Sequence, residues 1–142
     1  MFERTVSQIL LIEDNAIDAD LIHHALQKIE AGLALSVARD GEEALAYFNR
    51  WDEGLPLPIV ILLDLQLPKI SGFEILKELK THPRYRLLPV VVLTSSNNVN
   101  DIQTAYQLGA NSYILKSINY DLLTNAVGLI HRYWCGLNIH PE

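Results

Sequence analysis

Four apolar runs of the chain end in polar side chains that could do chemistry together. Glu13 and Asp14 follow the first run, Asp64 follows another, and Thr94 and Lys116 mark the ends of two more. Ligands of an open parallel sheet bind beyond the carboxyl ends of its strands, so we expect these groups to meet. Crowded carboxylates repel one another, and a divalent cation such as Mg²⁺ keeps them ionised. Because the lysine and the hydroxyl can bind further oxygens, the set predicts a phosphoryl group held on a carboxylate.

The elements that must position these residues are short β-rich runs alternating with amphipathic segments of helical period. This alternation predicts an α/β fold, in which helices cover both faces of a parallel sheet. The predicted strands are 8–12, 34–38, 59–63, 90–94 and 112–115. The predicted helices are 18–29, one that begins at a capping box formed by Asp40 and Glu43, 72–80, 99–108 and 119–134.

Composition narrows the classes of function. With 142 residues, of which 49% are hydrophobic and 20% charged, the chain is typical of one folded domain. We expect a single domain over 1–142, with its core at about 7–134 and a short tail at 135–142. The formal net charge of −6 argues against direct binding of nucleic acid. A lone Cys135 and the absence of a long apolar run favour a cytoplasmic protein without a membrane span.

Several motifs in register resemble the response-regulator receiver domain of two-component signalling. Ile-Glu-Asp-Asn at 12–15 is similar to the family's acidic pair, and Leu-Asp-Leu-Gln-Leu-Pro-Lys-Ile-Ser-Gly at 63–72 to its phosphoacceptor segment. Thr94 and Lys116 match the family's switch hydroxyl and phosphate-pairing lysine, and Tyr113 matches its switch aromatic. The resemblance implies a doubly wound, flavodoxin-like fold: a five-stranded parallel sheet in the order 2-1-3-4-5 with five helices.

The resemblance also implies a role for each site residue. Asp64 attacks the phosphorus of a phosphohistidine on a partner histidine kinase. Asp14, Asp64 and the backbone carbonyl of Gln66 ligate Mg²⁺, while Glu13 acts through a metal-bound water. Such a chain takes a phosphoryl group onto itself and loses it again by autodephosphorylation, and is otherwise no enzyme. Positioning and charge neutralisation suffice for this transfer, so the lack of a histidine base is no obstacle.

Transmission of the signal is implied to run through a two-state element. Once Asp64 is phosphorylated, the added oxygens recruit the Thr94 hydroxyl and Tyr113 turns inward, which changes the surface of the fourth helix, fifth strand and fifth helix. After Trp134 only eight residues remain, so we expect no output domain and an output through binding.

A narrower resemblance is to the cyanobacterial phytochrome response regulators. It depends on the segments at 40–45, 54–58 and 88–96, and on Ile-His-Arg-Tyr-Trp at 130–134. This likeness implies a phytochrome-type histidine kinase as phosphodonor. It also implies a homodimer through the face of helix 4, strand 5 and helix 5, and the last helix is indeed more apolar than one core-facing stripe requires.

Other interpretations remain open. The acidic pair could only cap the first helix, Lys116 could only form a surface ion pair, and Tyr113 could only pack. Ser117 stands where the family usually has a cis proline, so a trans loop would put the reach of Lys116 to Asp64 in doubt and leave a pseudo-receiver that only binds partners. An aspartyl phosphatase would need a second acid two residues after the nucleophile, where Gln66 stands.

Overall fold

The structure is a computed structural model that describes residues 7–141, which form a sheet covered by helices on both faces. The strands are β1 (Gln8–Ile12), β2 (Ala34–Ala38), β3 (Val60–Leu63), β4 (Val90–Thr94) and β5 (Ser112–Leu115). The helices are α1 (Ala16–Ile29), α2 (Gly41–Asp52), α3 (Gly72–Thr81), α4 (Val99–Gln107) and α5 (Tyr120–Arg132). A 3-10 turn (Tyr85–Leu87) precedes β4, and a π-helical turn (Tyr133–Leu137) follows α5.

The sheet is parallel throughout, in the order β2-β1-β3-β4-β5. Its register aligns the carboxyl ends: Ile12 lies opposite Leu63, and Thr94 lies opposite Leu115. The residues that follow β1, β3 and β5 therefore emerge at one edge, beside Thr94. The predicted α/β doubly wound fold, with five strands in this order and five helices, is confirmed.

Alternation along each strand divides the core between the two faces of the sheet. Leu10 and Ile12 pack in a cluster with α2, α3 and α4, whereas Ile9 and Leu11 pack in a second cluster with α1 and α5. Every residue of β3 and β4 is buried, as in a central strand with helices on both sides. This burial fixes the strand ends that carry the polar residues.

Side-chain caps set where the helices begin. Asn15 accepts from the backbone N–H of Asp18, so α1 begins at Ala16, two residues before the predicted start. Asp40 caps α2 as its capping box predicts, and a cap of this kind contributes about 1 kcal/mol. At the other end of the chain, α5 leaves the α conformation after Arg132, where the π-helical turn replaces its predicted last residues.

Within residues 7–141, each helix is too short or too polar to cross a membrane.

Candidate functional site

The predicted acidic residues meet in one cleft at the carboxyl edge of the sheet. One carboxylate oxygen each from Glu13, Asp14 and Asp64 lie within 4.8 Å of one another. Glu13 and Asp64 are buried, with side chains 1% and 4% exposed, whereas Asp14 is exposed. We call the space that they line with Asp18, Gln66 and Lys116, about 860 Å³ in volume, the acidic cleft.

Asp64 is held by donors on three sides. Its Oδ1 accepts from the Thr94 hydroxyl at 2.8 Å and from the backbone N–H of Gln66 at 3.0 Å, and its Oδ2 accepts from Lys116 at 3.1 Å. The side chain is therefore fixed in orientation. The sequence predicts the Thr94 hydroxyl as a group that phosphorylation recruits, and the structure places this hydroxyl on Asp64 itself.

A close approach of the backbone positions Asp64. The N–H of Gly72, the first residue of α3, donates to the carbonyl of Leu65. A Cβ built on Gly72 would lie 2.5 Å from the carbonyl oxygen of Asp64 and 2.5 Å from Cα of Leu65. Only glycine fits where α3 meets the end of β3, which explains the glycine eight residues after the acceptor.

Lys116 is the cation of the acidic cleft. Its ammonium lies 2.6 Å from Glu13, 2.9 Å from Asp18 and 3.1 Å from Asp64, and its side chain is 8% exposed. Burial by itself lowers the pKa of Lys116, but the hydrogen bonds to Glu13 and Asp18 outweigh it and raise that pKa above its ordinary value. The lysine therefore stays charged at any physiological pH.

For Glu13, burial outweighs the hydrogen bonds in its effect on the pKa. It raises the pKa of this carboxyl to about 7, against the lowering effect of the Lys116 hydrogen bond. The other oxygen of Glu13 accepts from the backbone N–H of Asn15 at 3.1 Å. A second positive charge beside Glu13 would therefore favour its ionised form.

The peptide bond between Lys116 and Ser117 is trans, because residues 7–141 contain no cis peptide. The expected difficulty does not arise, since the ammonium reaches Asp64 Oδ2 at 3.1 Å from the trans loop. The Ser117 hydroxyl instead accepts from the backbone N–H of Asn119, just before α5.

Tyr113 lies on the edge strand β5 and joins β5 to the loop after β4. Its hydroxyl donates to the carbonyl of Ser96 at 2.8 Å, and the ring packs against the core cluster of α2, α3 and α4. The Ser96 hydroxyl donates to Asp101 of α4 at 2.6 Å. Burial raises the pKa of Tyr113, so this phenol stays protonated and able to donate. Thr94 and Tyr113 thus flank the loop that leads into α4.

Two contacts at this site escaped the sequence analysis. Asp18, in the first turn of α1, lies 2.9 Å from Lys116, and the Gln66 side chain accepts from the Ser95 hydroxyl at 2.9 Å across the acidic cleft. An acid in the first turn of the helix after the acidic pair was the available signal for Asp18. An acid in the first turn ordinarily interacts with the helix dipole, so its position alone did not identify Asp18 as a residue of the site.

The donor set fits a hard divalent cation. Clustered carboxylate oxygens are the ligands that Mg²⁺ and Mn²⁺ prefer, and the exposed Asp14 leaves the cluster open to water. The backbone carbonyl of Gln66 belongs to the same loop after β3. These residues can hold a cation next to Asp64.

The fold and the acidic cleft together define the class of protein. The chain belongs to the response regulator receiver domain family, whose sequence model matches residues 9–128. The resemblance stated from the motifs is confirmed.

Individual relatives are similar over nearly the whole chain. Identity is 40% over 134 residues to the probable methanogenesis regulatory protein FilR2 of Methanothrix harundinacea, covering 94% of this chain and 86% of that protein. It is also 40%, over 128 residues, to response regulator Rcp1 of Synechocystis sp., covering 89% of this chain and 87% of Rcp1.

Solved structures give the same picture. The phosphorylated cyanobacterial phytochrome response regulator RcpA matches with a TM-score of 0.91 at 38% identity, covering 97% of this chain and all of that one. The Mn²⁺-bound form of Rcp1 matches with a TM-score of 0.88 at 38% identity, covering 96% of this chain and 99% of that one. The narrower likeness to phytochrome response regulators is thereby confirmed.

Proposed function

We propose that the chain is a phosphoacceptor that takes a phosphoryl group from a histidine kinase onto Asp64 and signals through a changed interaction surface. One observation carries the proposal: Asp64 lies among Thr94, Lys116 and the acidic pair in a single open cleft. Lys116 and Thr94 can contact the oxygens of a phosphoryl group on Asp64, and the acidic pair can hold the Mg²⁺ that neutralises their charge. We also propose that residues 1–142 form one receiver domain. This domain accepts the phosphoryl group itself and does not turn over a separate substrate.

The transfer is a displacement at phosphorus. A carboxylate oxygen of Asp64 forms the new oxygen–phosphorus bond while the phosphorus–nitrogen bond of the phosphohistidine breaks, and the released imidazole nitrogen takes up a proton. Asp14, Asp64 and the carbonyl of Gln66 would hold Mg²⁺, with Glu13 acting through a water. When bound, the ion supplies charge neutralisation at the phosphoryl oxygens.

Lys116 and Thr94 complete the proposed site. The ammonium that now contacts Asp64 can pair with a phosphoryl oxygen, because that oxygen lies next to the carboxylate it modifies. The Thr94 hydroxyl, which now donates to Asp64 Oδ1, can rotate to another. When the Thr94 hydroxyl rotates away, it leaves a space that the ring of Tyr113, on the neighbouring strand, can enter.

We propose Tyr113 as the residue that carries this change to the surface. Its bond to the Ser96 carbonyl ties β5 to the loop before α4, so a turn of the ring alters that loop. The responding face comprises α4, β5 and α5. A two-state element of this kind needs only a few kcal/mol of bias.

The proposed phosphodonor is a phytochrome-type histidine kinase, which is supported by the similarity to RcpA. The responding face is also the proposed homodimer surface. It carries apolar side chains that are more than half exposed, including Leu122 and Leu129 of α5. Sedimentation of the chain with and without beryllofluoride measures whether this face self-associates.

Two other functions lose their motivation. A pseudo-receiver was suggested by Ser117, yet Lys116 contacts Asp64 from a trans loop. A phosphatase with an aspartyl nucleophile needs an acid at position 66, where the Gln66 side chain instead accepts a bond from Ser95.

The decisive experiment uses a small phosphodonor. Incubation with Mg²⁺ and acetyl phosphate is expected to add one phosphoryl group, measured as an increase in intact mass that disappears in Asp64→Asn. Asp20→Asn, which changes an exposed aspartate of α1, is the matched control and should be modified like the wild type. No modification of the wild type would overturn the proposal, and sustained release of phosphate over many turnovers would favour the phosphatase.

A further inference from the structure

The Lys116 ammonium is shared among three carboxylates. A lysine ammonium offers three donors, and three carboxylates lie within hydrogen-bond distance of this one. Glu13 is at 2.6 Å, Asp18 at 2.9 Å and Asp64 at 3.1 Å. A phosphoryl group on Asp64 can take over the hydrogen that Asp64 now accepts, but it gains a second hydrogen of Lys116 only if Glu13 or Asp18 gives one up.

Glu13 is poorly placed to give way. Its side chain is 1% exposed, and its second oxygen accepts from the backbone N–H of Asn15, so the carboxyl is fixed at both oxygens. Release of Lys116 would leave a buried carboxylate uncompensated, which is strongly unfavourable.

Asp18 has the opposite surroundings. It lies in the first turn of α1 at the mouth of the acidic cleft, and its side chain is 26% exposed. Rotation of this side chain into water costs little, because water replaces the ammonium as its partner. Of the two carboxylates, Asp18 is therefore the exchangeable one.

We infer that Asp18 is a positioning residue that holds Lys116 in the unphosphorylated chain and competes with the phosphoryl group for it. This inference rests on the proposed phosphorylation of Asp64. It assigns to Asp18 a bond that stabilises the resting state alone. Removal of the charge at this position should thus favour the state in which Asp64 carries a phosphoryl group or an analogue of one.

The test is made with beryllofluoride, a phosphoryl analogue, at saturating Mg²⁺. We expect Asp18→Asn to bind it about two- to fivefold more tightly than the wild type, the range for a partly exposed ion pair. Asparagine keeps an oxygen to orient Lys116, so only the charge is lost. Asp20→Asn is the control for a lost charge on the same helix and should bind like the wild type.

A second measurement separates the contribution of the Asp18–Lys116 pair from the general effect of removing a negative charge near the site. In the absence of ligand, a double-mutant cycle of Asp18→Asn and Lys116→Gln on the unfolding equilibrium should show a favourable coupling of about the same fold-change. A contact present only in the resting state contributes equally to resting stability and to the competition. A structural role of Asp18 would show the coupling without the gain in affinity.

The outcomes are distinguishable. Unchanged or weaker beryllofluoride binding by Asp18→Asn, or a coupling of zero with Lys116, overturns the inference while wild-type binding leaves phosphorylation of Asp64 intact. If the wild type and Asp20→Asn both fail to bind beryllofluoride, the proposed function fails and the inference fails with it.

Discussion

At the scale of single residues, Lys116 neutralises more of the site than its pairing with Asp64 requires. It is the cation for two buried carboxylates and one partly exposed one. In a buried group of this kind, loss of one partner leaves the others uncompensated. The lysine therefore supports the fold before any phosphoryl group arrives.

This arrangement predicts a large effect of Lys116→Gln on stability. The free energy of unfolding in urea without metal should fall by about 3 kcal/mol, the cost of an uncompensated buried charge. Mg²⁺ should recover part of the loss, because it supplies positive charge to the same carboxylates. Lys69→Gln is the control, since that lysine forms only an exposed 4.0 Å pair with Glu42. Equal stabilities of the two variants would contradict the prediction.

At the scale of elements, the junction between β3 and α3 decides where the acceptor stands. Gly72 packs against the backbone of Asp64 and Leu65 without room for a Cβ. A backbone neighbour cannot move aside as the tip of a flexible side chain can. The position of the nucleophile therefore depends on a glycine that does no chemistry.

We expect Gly72→Ala to lower the free energy of unfolding by about 2 kcal/mol, within the range for overpacking, and to reduce modification of Asp64 in the fraction that stays folded. Gly128→Ala is the matched control: a Cβ at Gly128 in α5 meets Ile29 at an ordinary 3.7 Å. That variant should gain up to about 1 kcal/mol from helix propensity. Urea unfolding of both proteins measures the contrast, and a stabilised Gly72→Ala would disprove the packing argument.

The positions of most strands and helices were predictable from the sequence. Strand periods, glycine positions and caps are local, and four of the five strand bounds agree with the structure, while β3 begins at Val60, one residue later. Two helix ends differ from the prediction by two residues, the start of α1 at its Asn15 cap and the end of α5 at the π-helical turn after Arg132, while three others differ by one residue. The π-helical turn has no strong local signature.

The site was predictable as a set of residues but less so as a set of contacts. Parallel strand ends bring Glu13, Asp64 and Lys116 together in any doubly wound sheet. The Asp18 contact with Lys116 joins distant parts of the chain, whereas the trans bond before Ser117 is what a non-proline residue favours. The Asp18 contact depends on how α1 packs beside α5, which periodicity does not specify.

At the scale of the whole molecule, Glu30 connects the segment before β1 to the last helix, α5. Its carboxylate accepts from the backbone N–H of Ser7 at 2.8 Å and lies 2.7 Å from the ring of His131. Partial burial alone raises the pKa of Glu30, but the bonds from Ser7 and His131 outweigh it and lower that pKa below its ordinary 4.5. The tie thus joins the segment before β1, α1 and α5.

The lowered pKa gives a dependence of stability on pH with a definite sign. The folded pKa lies below the unfolded one, so Glu30 contributes stability above about pH 4.5 that is lost as the pH falls through the folded value. The difference in unfolding free energy between wild type and Glu30→Gln should therefore shrink in acid. Glu78→Gln, at an exposed glutamate of α3, should show no such trend. A difference that grows on acidification would reverse the sign and refute the assignment.

The hydrogen bond between Glu13 and Lys116 spans 103 residues, from the end of the first strand to the end of the last. Such a contact exists only when the first and the last strand both lie in the sheet. A chain in which β5 has not docked has the acceptor and the acidic pair but no ammonium beside them. The completeness of the site is therefore a property of the whole sheet, and any change that loosens its last strand removes the cation from the nucleophile.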